Sequence, residues 1–280
     1  MEPILKWAGG KRQLLNELKS IIEPLLNGAN TYFEPFIGGG SVAFSLEYSN
    51  LVMNDYNEEL INVYKIIKSN PNELIELLKE HKSLHSKEHY YEVRSLDRKS
   101  EIYDNMSNIQ KAARIIYLNK TCYNGLYRVN SKGFYNVPLG RSTAQNQDIV
   151  MEEKIFALSK YLNKKGIKIK RGDFSKAISS AVAGDVIYFD PPYDYEGDGF
   201  STYNKNGFTQ DDLLRLKKTC DQLVERGCHI IVSNNDTKFV RKCFSEECYK
   251  IRKVVAKRYI NCDGKNRSKA DEVIIYGCKQ

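Results

Sequence analysis

The sequence lacks the features that define several large classes of protein. No apolar run in its 280 residues approaches the roughly 20 residues that a helix needs to span a membrane. Residues 1–6 lack the apolar segment of a secretory signal peptide. The chain also has no internal repeat and no low-complexity tract. These absences lead us to expect a soluble, cytoplasmic protein with a globular core.

Patterns of cysteine and histidine that would indicate a disulfide framework or a metal site are missing as well. The seven cysteines are odd in number and none forms a Cys-x-x-Cys pair, so we expect reduced thiols and no bound metal. His81, His85 and His89 have helical spacing, but they lie among lysines and glutamates. That setting favours a solvated helix face over a metal site. His229 opens an apolar run and is expected to be structural.

Net charge and chain length restrict the possible partners and the number of domains less strictly. The net charge of +8, from 43 basic and 35 acidic residues, suits a polyanionic partner, although many soluble proteins carry as much. Hydrophobic residues make up 41% of the chain, so it can bury a sizeable core. The length allows one large domain, or one domain with a sizeable insertion.

Short apolar runs typical of strands alternate with helical periods along the chain. Strands are expected at residues 31–34, 51–53, 167–170, 186–189, 229–233, 250–256 and 272–276. Residues 58–119 are helical in period and strongly charged, whereas residues 122–140 resemble a long polar and aromatic loop or a small hairpin. This order predicts an α/β fold with a mostly parallel sheet, in which residues 1–57 and 166–280 form the core and residues 58–165 a helical insertion.

The tetrapeptide Asp-Pro-Pro-Tyr at residues 190–193 follows the apolar run at 186–189, so it is expected at the end of a buried strand. Active sites of open α/β sheets lie at that edge. Two prolines stiffen the turn, which can present the Asp190 carboxylate, the Pro191 carbonyl and the Tyr193 ring to one small planar group. Methylation of an exocyclic amine on a base requires such a group of contacts. An ordinary Pro-rich turn is the alternative.

A second constellation is typical of a nucleotide-like cofactor. Gly38, Gly39 and Gly40 lie between a predicted strand and a predicted helix, where a ligand can approach the backbone closely. Asp55, at the end of the next strand, could accept hydrogen bonds from a ribose, or could cap the following helix. A third glycine of the dinucleotide motif is missing, which favours S-adenosylmethionine over a pyrophosphate cofactor. Asp173 and Phe174 could form the adenine pocket, although Phe174 taken alone is better read as core.

Seven segments occur in the same order as in a known family. They are Lys-Trp-Ala-Gly-Gly-Lys at 6–11, Glu-Pro-Phe-Ile-Gly-Gly-Gly at 34–40, Asn-Asp-Tyr-Asn at 54–57, Tyr-Asn-Gly-Leu-Tyr-Arg at 123–128, Phe-Tyr-Asn-Val-Pro-Leu-Gly-Arg at 134–141, Gly-Asp-Phe at 172–174 and Asp-Pro-Pro-Tyr at 190–193. With them the chain resembles the alpha group of the Dam family of DNA adenine (N6) methyltransferases. The resemblance implies a Rossmann-like methyltransferase fold that binds S-adenosylmethionine, with a mainly helical DNA-recognition domain inserted at 58–165.

The resemblance also implies roles for residues around the cofactor and the target base. Asp190, Pro191 and Tyr193 would be catalytic, and Lys11 would lie near the methionine carboxylate of the cofactor. The cofactor would be bound by Trp7, Lys11, Phe36, Gly38, Asp55, Asp173, Phe174 and Asp190.

DNA contacts are implied for the insertion and for one residue before it. Lys6 and Arg128 would contact guanines, Leu126 and Pro138 would lie beside thymine methyls, and Tyr123 and Asn124 would fill the gap left by a flipped base. The family's usual target is GATC. Arginine is independently the natural bidentate partner of guanine. Tyr127, Phe134, Tyr135, Lys132 and Arg141 add rings for bases and cations for phosphates, unless this loop is a solvated surface with structural tyrosines.

The expected reaction is methylation of a flipped-out adenine in double-stranded DNA. Asp190 and the Pro191 carbonyl would accept hydrogens from the amine, Tyr193 would stack on the purine, and transfer would be in line. We expect a monomer associated with the bacterial or phage nucleoid, alone or in a restriction–modification system. The alternatives are a methyltransferase of RNA or of a protein amide, and a non-catalytic DNA-binding regulator. A nicotinamide-dependent oxidoreductase is disfavoured by the missing glycine.

Overall fold

The structure is a computed structural model that describes residues 1–7, 9–11, 13–140, 148–194, 208–244, 249–256 and 270–277. Arg141, which is expected to supply a cation for DNA phosphates, lies outside the described residues.

Seven strands in the described residues form one sheet with the order β3-β2-β1-β4-β5-β7-β6. They are β1 (Tyr32–Glu34), β2 (Leu51–Asp55), β3 (Lys168–Arg171), β4 (Val186–Phe189), β5 (His229–Asn235), β6 (Lys250–Ala256) and β7 (Ala270–Gly277). The first five are parallel, and β7 pairs antiparallel with both β5 and β6. The strand order reverses between β1 and β4, and ligands of open α/β sheets bind at such a switch point, beyond the carboxyl ends of the strands.

Helices cover both faces of this sheet. They are α1 (Leu15–Leu26), α2 (Ser41–Leu46), α3 (Glu58–Ser69), α4 (Pro71–Ser83), α5 (Lys87–Ser95), α6 (Ser100–Asn105), α7 (Asn108–Thr121), α8 (Glu152–Leu162), α9 (Phe174–Ala177), α10 (Gln210–Glu225) and α11 (Lys238–Cys243). Single 3-10 turns occur at Leu96–Arg98 and Tyr123–Gly125. No helix among the described residues is both long and apolar enough to cross a membrane.

The side chains of β4 pack against both faces of the sheet. All four are buried, and they alternate between two hydrophobic clusters. Val186 and Tyr188 belong to the cluster that includes α1, α3, α4, α7 and α8, whereas Ile187 and Phe189 belong to the cluster under α9, α10 and α11. A strand covered on both faces reads as a continuous apolar run, as this one does. The carboxyl end of β4 is therefore held rigidly from both sides.

The predicted α/β class and the mostly parallel sheet are confirmed. The expected strands are present, and the helical period at 58–119 corresponds to α3 through α7. The division into a core and an insertion at 58–165 stays a prediction, because the larger hydrophobic cluster runs through both parts. The sequence pattern did not reveal α8.

The prediction that His81, His85 and His89 form a solvated face of one helix is wrong. The helix α4 ends two residues after His81 and α5 begins two residues after His85, so the three side chains do not share one helix face. His81 Nδ1 lies 3.0 Å from His89 Nε2, and His85 Nδ1 lies 2.8 Å from the Tyr117 hydroxyl. Burial lowers the pKa of His81 to about 4, and the neighbouring His89 adds to the effect. These rings are partly buried packing around Tyr117; among the described residues no cluster is arranged to hold a metal.

Candidate active site

A pocket lies at the carboxyl ends of β1, β2 and β4. It is lined by residues from four segments, within 7–11, 34–42, 55–57 and 188–193, and by Phe208. The glycine turn and the Asp-Pro-Pro-Tyr turn therefore face one space, as the sequence predicts. Because parallel strands place their carboxyl ends at one edge, loops that are far apart in the chain meet there.

The glycine turn between β1 and α2 needs its glycines. Gly38 and Gly40 have φ values of 46° and 73°, in the left-handed region. A Cβ on Gly40 would lie 2.2 Å from the ring of Phe44, and one on Gly38 would lie 3.0 Å from Trp7. A side chain is thus disfavoured by conformation at both positions and excluded by sterics at Gly40, and the turn leaves backbone facing the pocket.

Asp55 is held at the pocket wall by backbone groups. Its Oδ2 accepts a hydrogen bond from Gly38 N at 3.0 Å and its Oδ1 accepts one from Asn57 N at 2.9 Å. Asn57, and not Asp55, caps α3 by accepting from Leu60 N. The capping alternative for Asp55 is therefore wrong. Burial raises the pKa of Asp55, against the hydrogen bonds from Asn57 and Gly38, and its remaining lone pairs can accept from hydroxyl groups.

Asp190 forms an ion pair inside the pocket. The Nζ of Lys11 lies 2.7 Å from its Oδ1, and the Ser233 hydroxyl donates to the same oxygen at 2.8 Å. Lys11 also donates to the Gly9 carbonyl at 2.6 Å and lies 4.5 Å from the centroid of the Tyr193 ring. Burial raises the pKa of Asp190, although Lys11 and Ser233 pull it down. The structure thus pairs Lys11 with Asp190, whereas the family resemblance implied only the methionine carboxylate of the cofactor as a partner of Lys11.

The turn at 190–193 is anchored to the end of β5. Asn234 Oδ1 accepts from Asp194 N at 2.9 Å, and Asn235 Nδ2 donates to the Asp194 carbonyl at 2.6 Å. The hydroxyl of Tyr193 donates to Glu272 of β7 at 2.8 Å. Residues beyond the apolar part of β5 therefore position the Asp-Pro-Pro-Tyr turn.

Glu34 lines the pocket, although the sequence predicted no function for it. It is 2% exposed, at the end of β1, and Tyr32 donates its hydroxyl to Oε1 at 2.6 Å. Burial raises the pKa of Glu34 to about 8, with the nearby Asp190 adding to the shift and Tyr32 opposing it. Glu34 is therefore mainly protonated at neutral pH. An acid inside the apolar run Tyr-Phe-Glu was the available signal.

Glu34 should make the stability of the protein depend on pH. In the unfolded chain its pKa returns to 4.5, so between pH 4.5 and about 8 the folded state keeps a proton that the unfolded state releases. The stability that neutral Glu34 contributes is complete below that window and is lost as the pH rises through it. We expect the midpoint of thermal unfolding to fall less steeply with pH in Glu34→Gln than in the wild type. Circular dichroism melts across this range test this, and parallel profiles would contradict it.

Neither Asp173 nor Phe174 is among the residues that line the pocket. Phe174 is buried with its ring centroid 5.3 Å from that of Phe36, which lines the pocket. Asp173 accepts from Ser175 N at 2.9 Å and pairs with Arg215 Nη1 at 2.8 Å. Partial burial raises the pKa of Asp173, but the bonds from Ser175 and Arg215 outweigh it and hold the pKa below its ordinary value. The adenine-binding role of both residues stays a prediction.

The six residues with expected DNA contacts lie on one hairpin and the segment beside it. Tyr123, Asn124, Arg128 and Pro138 are exposed, as is Lys6, and Leu126 is partly exposed. Antiparallel bridges join Cys122 to Leu139 and Val129 to Tyr135, which confirms the small hairpin. Tyr123 N donates to the Pro138 carbonyl at 2.9 Å, so these two positions are neighbours.

Two aromatic residues of this hairpin are not available to bases. Tyr127 is 8% exposed; its ring stacks on Trp7 with centroids 4.6 Å apart, and its hydroxyl donates to Glu59 at 2.7 Å. Tyr135 is 1% exposed and donates to the Leu126 carbonyl at 2.9 Å. The expectation that their rings face bases is wrong, and the structural alternative is correct for both.

The chain is similar in sequence to known methyltransferases over most of its length. The family model described as D12 class N6 adenine-specific DNA methyltransferase matches residues 7–260. The chain is 42% identical over 277 residues to the type II methyltransferase M1.LlaDCHI of Lactococcus lactis subsp. cremoris, covering 98% of this chain and 95% of the relative. It is 40% identical to the type II methyltransferase M.MjaIII of Methanocaldococcus jannaschii, covering 95% of each. It is 30% identical to the DNA adenine methylase of Escherichia coli K12, covering 96% and 93%.

Proposed function

Because this chain belongs to the D12 class of N6 adenine-specific DNA methyltransferases, we propose that it methylates the N6 amine of a flipped-out adenine in the duplex sequence GATC, with S-adenosylmethionine as methyl donor. Adenine-specific methylation of DNA follows from the family. The donor, the sequence and the flipping are the proposal. The observation that carries it is the common pocket of the glycine turn, Asp55 and Asp190.

The pocket fits S-adenosylmethionine in the chemistry of its side chains. Asp55 has lone pairs left for ribose hydroxyls after its two backbone bonds. The ammonium of Lys11 has three hydrogens, and Gly9 and Asp190 use two, which leaves one for a carboxylate. The proposed binding residues are Trp7, Lys11, Phe36, Gly38, Asp55, Asp173, Phe174 and Asp190. When bound, the cofactor supplies an electrophilic methyl group on a sulfonium.

The Asp-Pro-Pro-Tyr turn would hold the target base. Adenine in a duplex cannot reach a recessed pocket, so it must leave the stack, at a cost of a few kcal/mol. The Asp190 carboxylate and the Pro191 carbonyl can accept the two amine hydrogens, which makes the nitrogen lone pair more available for attack. Tyr193 can stack on the purine and stabilise the developing positive charge. Lys11 lies over that ring at 4.5 Å, so a purine can use the same face only after the ammonium has moved.

The hairpin and the segment before Trp7 would read the DNA. Arg128 and Lys6 have the hydrogen-bond donors that guanine requires, and Leu126 and Pro138 have the apolar surface that suits a thymine methyl. Tyr123 and Asn124 are exposed at the tip of the turn and can fill the place of the flipped base. We accordingly assign residues 1–57 and 166–280 to the catalytic domain and residues 58–165 to target recognition. A monomer acting in the cytoplasm, bound to the nucleoid, is part of the same proposal.

Incubation with a duplex and a methyl-labelled cofactor tests the proposal. We expect label in N6-methyladenine for a duplex with one GATC, and none for the same duplex premethylated on both strands or with the adenine replaced. Double-stranded RNA and the protein fraction serve as acceptor controls, because a methyltransferase of RNA or of a protein amide would label those instead. Binding of GATC without any label would support the regulator alternative. Label in adenine outside GATC would leave the enzyme class intact and overturn the recognition sequence.

A further inference from the structure

Asn119, near the end of α7, joins two segments that are far apart in the chain. Its side chain is 1% exposed. The Oδ1 atom accepts from Lys6 N at 2.9 Å, and Nδ2 donates to the Lys6 carbonyl at 2.8 Å and to the Gly125 carbonyl at 3.1 Å. An asparagine amide has one accepting oxygen and two donor hydrogens, so the acceptor and both donors are used on backbone groups. The amide thus fixes the backbone of Lys6 against the 3-10 turn Tyr123–Gly125.

A second contact fixes the same two segments independently. Gly125 has a φ of 66°, and a Cβ at this position would lie 2.4 Å from Cδ of Lys6. The aliphatic stem of Lys6 therefore packs directly against the glycine, while Lys6 as a whole is exposed. Asn124 within that turn has a φ of 57°, so the tip adopts one constrained shape. Two residues with proposed DNA contacts, Lys6 and Asn124, are thus held in fixed relative positions before DNA binds.

We propose that Asn119 is a positioning residue for sequence discrimination. It contacts no DNA itself; it holds Lys6 in register with the turn at 123–126 so that both meet one duplex at a fixed spacing. Discrimination between bases depends on this spacing, because a binding constellation must be held within about 0.5 Å of its productive geometry. A preordered pair of readers also avoids the entropic cost of ordering them during binding. The inference rests on the proposed reading of DNA by these segments.

The test compares the full-length wild type with Asn119→Leu and Gly125→Ala. Leucine keeps most of the side-chain volume but removes all three hydrogen bonds, and the alanine disturbs the same contact from the other side. The readout is the ratio of kcat/KM for a GATC duplex to that for duplexes with one guanine replaced. We expect both variants to lower this ratio about tenfold, the usual scale for one base pair misread. Affinity for S-adenosylhomocysteine, measured by calorimetry, should stay unchanged.

Asn163→Leu, at an exposed position, is the control for losing amide hydrogen bonds away from the hairpin. Asn163 Nδ2 also donates to two carbonyl oxygens, those of Lys68 and Ser159, but it joins α8 to α3 outside the hairpin. It should lower the unfolding temperature without changing discrimination. If Asn119→Leu does not fold, Gly125→Ala alone decides. An unchanged ratio in the folded variants overturns the inference and leaves Asn119 as a packing residue. Failure of the wild type to methylate adenine in any duplex is a separate outcome, which overturns the proposed function; if another sequence is methylated, the ratio is measured on that sequence.

Discussion

Asparagine in place of Asp190 is expected to slow methyl transfer about a thousandfold, the scale on which removal of one charged catalytic contact acts. The substitution keeps the shape of the side chain and removes the negative charge that would accept the adenine amine. The rate is measured in a single turnover with saturating duplex and cofactor, so that weakened binding does not enter. Affinity for S-adenosylhomocysteine should fall only in part, because Asp190 is one of the proposed cofactor contacts while Asp55 and the glycine turn are untouched.

The same substitution removes the counterion of Lys11. Lys11 is 5% exposed and Asp190 21%, so the ion pair is largely buried. Breaking a buried pair from one side costs about 3–5 kcal/mol, and the partial exposure of Asp190 places this case at the lower end. A loss of activity in Asp190→Asn alone could therefore reflect unfolding instead of chemistry.

The double variant Lys11→Met/Asp190→Asn separates the two effects. It removes both charges, so the free energy of unfolding should recover towards that of the wild type. Methyl transfer should not recover, because the proposed acceptor is still missing. Urea unfolding and single-turnover rates measured on the wild type, Lys11→Met, Asp190→Asn and the double variant complete the cycle. A double variant that regains transfer, or an Asp190→Asn protein that retains it, would show that Asp190 does not hold the amine.

The location of the active site was predictable because it follows from local patterns. An apolar run of four residues before Asp190, and a short one before Gly38, each indicate a strand end. Parallel pairing then brings both ends to one edge without further information. The three glycines and Asp55 could be placed for the same reason. The pattern also indicated a long loop or a small hairpin at 122–140, although not its contacts.

The ion pairs of the site could not be predicted, because hydrophobic periodicity indicates which residues are buried but not which charged side chains pair with each other. Nothing local shows that Lys11 pairs with Asp190, 179 positions away, or that Arg215 pairs with Asp173. Tyr127 was misjudged for a related reason: a tyrosine next to an arginine in a polar loop looks available to bases, and only the fold brings Trp7 against its ring. The histidine error had a local remedy, since Ser86 caps α5 by accepting from His89 N, and a serine there indicates a new helix.

Methionine in place of Arg114 is expected to destabilise the protein by about 3–5 kcal/mol, the cost of removing one partner from a buried charge network. Arg114 is 0% exposed in the middle of α7. Its Nη2 lies 2.9 Å from Asp97 and donates to the Arg94 carbonyl at 3.0 Å, and its Nε donates to the Val93 carbonyl at 3.0 Å. Methionine fills much of the volume but leaves these acceptors without the cation.

Glu59 extends this network towards the pocket. Its Oε1 lies 3.3 Å from Arg114 Nη1, and its Oε2 accepts from Tyr127, whose ring stacks on Trp7. Asp97 extends it towards the hairpin by accepting from Tyr135 N at 2.7 Å. The guanidinium thus neutralises two carboxylates that fix the two buried tyrosines of the hairpin. Loss of Arg114 should loosen the hairpin and the Trp7 stack together.

Urea unfolding followed by the fluorescence of Trp7, the single tryptophan in the chain, measures the loss of stability and the loosening of the Trp7 stack. The control is Arg171→Met, because Arg171 and Glu58 form an exposed pair at 2.9 Å whose loss should change the free energy of unfolding by less than about 1 kcal/mol. Adding Glu59→Gln to Arg114→Met should restore part of the stability, since it removes the carboxylate that lost its ion pair, whereas Asp97 keeps its pair with Arg98 at 2.8 Å. An Arg114→Met protein as stable as Arg171→Met would mean that the carboxylates of Glu59 and Asp97 find water or protons at little cost, and that the hairpin is held by its apolar packing instead.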